Sequence, residues 1–167
     1  MKQFILGFLG TLVLLLAGVI AYLRLGAAEV RADVAAPAWQ RGLMRFAERA
    51  SVRRRAPKAR RASPPTDGEL VAGGKLYLDG CEGCHGWPGG PRRKRVLFSP
   101  PPELAYTGTQ YSQAERFWII KHGLRRSGMS AWGTFYTDEQ IWGLAAFVGR
   151  MKDLPPSVLA ALQPPKR

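Results

Sequence analysis

The chain of 167 residues holds two cysteines, three positions apart, with a histidine directly after the second: Cys81-Glu82-Gly83-Cys84-His85. Two thiols at this spacing can add across the two vinyl groups of one haem, and the next residue's imidazole then reaches the iron from the same side. A disulfide framework is excluded, because both thiols lie within a single turn of chain. Two other chemistries use similar residues. A thioredoxin-like redox pair is also Cys-x-x-Cys, but it sits at a strand-to-helix junction in a βαβ setting that this sequence lacks. A zinc site needs four protein ligands, and beyond Cys81, Cys84 and His85 only His122 could complete a set of nitrogen and sulfur donors.

A low-spin electron-transfer haem needs a sixth ligand. Met1 and Met44 lie outside the compact part of the chain, and Met151 falls at the end of the last expected helix. Met129, between Gly128 and Ser130 in the stretch Arg125 to Trp132, stands in a loop after a helix and can turn its thioether inward. A neutral, polarisable sulfur favours ferrous iron and raises the potential relative to two histidines. His122 is the rival, at the end of a helix where a lone histidine more often packs or caps. Trp132, Trp118, Tyr106 and Phe117 suit the walls of a haem pocket, and equally an ordinary core. Arg125 and Arg126 could pair with haem propionates or remain solvated.

The elements that would position these residues can be read from capping signals and periodicity. Asp67 to Leu78 is expected to be a first helix, capped by Thr66 or Asp67 and ending at Gly80, with Leu70, Leu76, Tyr77 and Leu78 toward the core. Gly86 to Pro102, with its glycines, prolines and the basic run Arg92 to Arg95, reads as a loop. Ser112 with Glu115 forms a capping box that opens a helix through Ile120, stopping at Gly123. Thr137 with Gln140 repeats the device and opens a helix from Asp138 to about Met151, with Ile141, Trp142, Leu144, Ala145 and Phe147 apolar; Pro155 and Pro156 close it. The result is an all-α domain of three to four short helices.

Ahead of it, Phe4 to Leu23 is twenty residues without a charge, the length that spans a bilayer as a helix. A transmembrane anchor over 4–24 is expected, with a cleaved signal as the alternative on account of Gly26, Ala27 and Ala28. The formal charge of +13 is uneven: Arg41 to Arg61 holds nine basic residues against Glu48, whereas Asp67 to Asp153 holds eleven basic and nine acidic. The high charge therefore belongs to the segment before the compact domain, and nucleic-acid binding is not expected. Residues 25–65 read as a basic Ala/Arg/Pro linker, favoured as a solvated tether. The spacing of Arg41, Arg45, Arg49 and Arg53 by four also allows a basic amphipathic helix on anionic head groups. The domain is placed at 66–153 and a C-terminal tail at 154–167.

Cys81 to Gly86, Phe117 to Trp132 (FWIIKHGLRRSGMSAW) and the helix Thr137 to Met151 together resemble the class I cytochrome c domain of bacterial membrane-anchored monohaem cytochromes and of cytochrome subunits in oxidoreductase complexes. The resemblance covers roughly Asp67 to Asp153. It implies the cytochrome c fold with first and last helices crossing, haem c held by Cys81 and Cys84, His85 as proximal iron ligand and Met129 as distal. It also implies attachment of the haem outside the cytoplasm, hence a single-pass protein of the bacterial inner membrane whose domain faces the periplasm. The expected function is one-electron transfer between membrane or periplasmic redox partners, as a free carrier or as a subunit of an oxidoreductase complex. With both axial positions filled by protein, no enzymatic activity of its own is expected. A haem sensor or peroxidase-like protein, in which Met129 yields to a small ligand, is the alternative; a non-haem thiol switch is a third. The long basic linker and the Arg92 to Arg95 run depart from the family pattern and leave the partner open.

Overall fold

A computed structural model of the chain describes residues 1–31, 33–58, 64–90, 100–125 and 127–162. It divides into two compact units, Met1–Ala36 and Pro37–Arg167. The Arg92 to Arg95 run and Arg126 fall outside the described residues. Among those described, all regular structure is helical.

The first unit is built on α1 (Lys2–Arg24), 23 residues with its apolar side chains exposed. At 1.5 Å per residue it measures about 34 Å, enough to cross a hydrocarbon layer about 30 Å thick. By length and composition it is a candidate membrane span.

In the second unit, α3 (Asp67–Gly80) and α7 (Asp138–Arg150) pack against each other at the centre. Both begin with a capping box, Thr66 with Glu69 and Thr137 with Gln140, so each start is fixed by side chains that satisfy otherwise unpaired backbone N–H groups. The crossing is close because it runs over glycine: a Cβ on Gly73 would meet the backbone of Gly143, with the carbonyl carbon at 2.7 Å. A side chain at residue 73 would push the helices apart. Leu70, Tyr77, Ile141, Leu144, Ala145 and Phe147 fill the core around this contact, and Tyr77, Trp87 and Phe147 form an aromatic cluster with centroids 5.4–6.4 Å apart. The expected apolar face of α7 is thus the observed one, except that Trp142 stays half-buried, stacked at 4.2 Å on Phe117.

Helix α6 (Gln113–His122) starts at the Ser112–Glu115 capping box and packs on α7. Arg116 ties the two together, its Nε donating to the Ala145 carbonyl at 2.8 Å. The short helices α4 (Glu82–His85) and α5 (Leu104–Thr107) lie within the connection between α3 and α6.

Two segments differ from their sequence expectation. Part of the stretch expected as tether, Ala38–Arg55, is the helix α2, and it packs on α6. Its Val52 is buried, Tyr111 donates to Glu48 at 2.8 Å and Arg49 donates to Gln110 at 3.1 Å. The charge run suggested solvation, but one buried valine and two polar partners, Gln110 and Tyr111 in the connection before α6, give α2 a surface to lie on. Past Pro155, where a tail was expected, α8 (Pro156–Ala161) opens with proline in its first turn and buries Val158 and Leu162 against α3.

Candidate functional site

The Cys-x-x-Cys-His segment sits where α3 gives way to α4. Cys81 ends α3, its N–H donating to the Tyr77 carbonyl at 2.9 Å, and it also starts α4, accepting from the N–H groups of Cys84 and His85 at 3.1 and 2.9 Å. One turn of helix therefore carries both thiols and the imidazole. Gly86 ends that turn at φ 77°, a left-handed conformation that glycine adopts without strain. Its carbonyl accepts the hydroxyl of the fully buried Tyr77 at 2.7 Å, anchoring the end of the turn to the core.

Both cysteines are free thiols, Cys81 half-buried and Cys84 exposed. Burial, and after it the nearby Cys84 and Asp79, push the Cys81 thiol up to about 11. It is protonated at neutral pH, unlike the low-pKa cysteines of redox enzymes. The setting between two helices likewise differs from the strand-to-helix junction of a thioredoxin-like pair. Among the described residues no three His, Cys, Asp or Glu side chains converge as metal donors, and His122 is exposed on α6 with its ring 5.0 Å from Trp118.

The His85 ring is held at one nitrogen. Nδ1 lies 2.8 Å from the Pro102 carbonyl, so this nitrogen carries the proton and donates, leaving Nε2 as the basic one. Burial lowers the pKa of His85 below its usual value, with the contact to Pro102 opposing, and so favours the neutral ring. A neutral imidazole whose far nitrogen is fixed by a carbonyl is in the state that metal ligation requires.

Met129 lies in a loop folded back on the end of α6. Gly123 terminates the helix at φ 65°, and a Cβ there would meet the Met129 carbonyl oxygen at 2.7 Å. Leu124 N–H donates to that carbonyl at 3.2 Å, Met129 N–H to Ser127 Oγ at 3.1 Å, and Trp132 N–H to the Ile120 carbonyl at 3.1 Å. The Met129 side chain is half-buried and packs on the same core as Cys81. Trp132 brings this loop to the cysteine segment: its ring lies over Gly80, where a Cβ would meet Cζ3 at 2.8 Å, and stacks on Tyr136, which donates to Asp79 at 3.2 Å.

Of the other residues singled out by sequence, Phe117 belongs to the core, Trp118 is half-buried beside His122, and Tyr106 donates to the Gly90 carbonyl. Arg125 is exposed, and Met151 is buried in the core. Sequence reading did not identify Tyr77 and Pro102 as supports of the site. Tyr77 could only be assigned to the buried side of its helix, and nothing local marks Pro102 as an acceptor seventeen positions from His85.

The donor set fits a covalently bound haem: two free thiols one helical turn apart, a neutral imidazole with Nε2 unprotonated, and a thioether on a loop packed against the same helix. A family model described as cytochrome c oxidase, cbb3-type, subunit III matches residues 68–148. No curated protein and no solved structure matches the chain.

Proposed function

Given that residues 68–148 form a domain of the cytochrome c family, whose work is haem-based electron transfer, we propose that this chain is a membrane-anchored one-electron carrier with a single haem. Cys81 and Cys84 would hold the haem by adding their thiols across its vinyl groups, and His85 and Met129 would supply the nitrogen and sulfur ligands to its iron. The observation that carries this reading is the approach of Trp132 to Gly80, which sets the Met129 loop against the segment bearing Cys81, Cys84 and His85.

The haem, when bound, supplies the one-electron couple. What the protein adds is rigidity and tuning. Pro102 fixes the rotation and tautomer of His85, Tyr77 fixes the backbone after it, and the closed loop through Ser127 and Leu124 holds Met129. Ligands that do not move between redox states keep reorganisation small. The thioether sets a higher potential than a second histidine would.

α1 is the anchor, and the domain faces the periplasm of a bacterial inner membrane, where c-type haem is attached. The partners are redox proteins there, either diffusing or within a membrane oxidoreductase; the cbb3-type oxidase named by the matched family is the first complex to test.

Carbon monoxide tests the ligation. The spectrum of the reduced wild-type protein should not change under carbon monoxide, while Met129→Ala should bind the gas and shift its Soret band and His122→Ala should behave as wild type. Ready binding by the wild type would contradict a firm Met129 ligand and favour a sensor or peroxidase-like role.

A further inference from the structure

Helix α2 docks on α6 by one side and leaves an apolar stripe bare on another. Trp39, Leu43, Phe46 and Ala50 recur at i, i+4, i+7 and i+11, which places them on one helical face. The three large side chains are 72%, 54% and 72% exposed. At 3.6 residues per turn this stripe is about 150° around the helix from Val52, the residue buried toward the domain. The stripe is therefore no part of the packing on α6.

Arg53 and Arg54 flank it, each about 50° around the helix from its centre, while Arg49 and Arg45 follow at about 90° and 130° and Arg41 points to the Val52 side. α2 carries Arg41, Arg45, Arg49, Arg53, Arg54 and Arg55 against one acid, Glu48. The side chains of Arg41, Arg45 and Arg54 form no hydrogen bond or ion pair with the described residues. Gly42 leaves a concavity lined by Arg45, Phe46 and Arg49, and a Cβ there would meet nothing within 4 Å. The free Arg45 guanidinium at an open notch beside an exposed aromatic ring can take up phosphate oxygens while the ring enters the acyl boundary. Residues 25–37 separate α1 from α2, a covalent reach of at most about 50 Å.

We propose that α2 is an interfacial helix that lies on anionic phospholipid head groups through this face, with Trp39, Leu43 and Phe46 below the phosphates and the arginines among them. Because α2 is also docked on α6, the contact holds the electron-transfer domain in one pose against the bilayer instead of leaving it on a loose tether. The proposal rests on α1 being a membrane anchor, since the anchor delivers α2 to the surface.

The full haem-loaded chain, reconstituted in vesicles with brominated acyl chains, separates the two claims. Flotation with the vesicles reports the anchor; the emission lost on Trp39→Phe isolates the Trp39 signal. In vesicles rich in phosphatidylglycerol the Trp39 component should be quenched, and it should recover in pure phosphatidylcholine or at high salt. Arg45→Gln with Arg54→Gln should weaken the quenching without affecting flotation. A chain that floats while its Trp39 emission is the same in both lipids overturns the interfacial helix and leaves the anchor standing; a chain that does not float overturns both. Photo-crosslinking from benzoylphenylalanine in place of Phe46 should yield phospholipid adducts in native membranes, and adducts only with polypeptide would assign this face to a protein and overturn the proposal.

Discussion

The two helix contacts on which the domain depends are made in opposite ways. α3 crosses α7 over Gly73 with apolar side chains on both flanks, so the contact is dry, close and intolerant of added volume. α2 docks through the buried Val52, the Tyr111 hydroxyl donating to Glu48 and Arg49 donating to Gln110 in the connection before α6, and an ion pair of 3.9 Å from Arg53, 75% exposed, to Glu115 of α6. Such exposed pairs add little stability. The difference separates the scaffold that fixes the cysteine turn from a layer that can respond to its surroundings.

The sharpest way to test this contrast is at the α3–α7 crossing. Gly73→Val forces a side chain into the backbone of Gly143 and should cost about 3 kcal/mol, measured as the denaturation midpoint of the haem-loaded chain. A midpoint near wild type would show that the crossing is not tightly packed.

Tyr77→Phe comes next, and it refines the account of the site. It removes the hydroxyl from the Gly86 carbonyl within the core and should cost about 1.5 kcal/mol. Because Gly86 follows His85, the substitution should also alter the iron–histidine spectroscopic signature. A stability loss with an unchanged signature would mean that Tyr77 supports the core alone.

The smallest expected effect is at α2. Burial first, and then the hydrogen bond to Glu48, raise the Tyr111 phenol from its ordinary 10 to about 12. A raised phenol favours the neutral form in the folded state. Its contribution is complete below pH 10 and is lost as pH climbs from 10 toward about 12. In a phenolate absorbance titration, Glu48→Gln should shift one tyrosine to lower pH and Tyr111→Phe should delete it. A Glu48→Gln curve that overlays the wild type would show that α2 is not docked.

What could be read from sequence was what local spacing determines. The capping boxes at Ser112 and Thr137 fix helix starts within four residues, and α6 and α7 begin where they indicate. Thr66 with Glu69 has the same form and marks the start of α3 equally well. The cysteine turn needs only its own five residues. Contacts between distant positions had no such signal: Trp132 over Gly80, Tyr77 to Gly86 across the cysteine turn, and Val52 against α6 depend on helices that first have to meet. At α2 the spacing of four arginines by four allowed the helix that the structure shows, but charge density favoured a solvated tether because the partners that hold it lie far off in sequence.

The most direct test of the haem reading is the intact mass of the denatured chain after export with a c-type haem attachment system. We expect the mass of the polypeptide plus one haem, with the addition lost in the Cys81→Ala, Cys84→Ala double variant. An exported chain that retains its bare polypeptide mass would contradict covalent haem at Cys81 and Cys84, and with it the electron-carrier account.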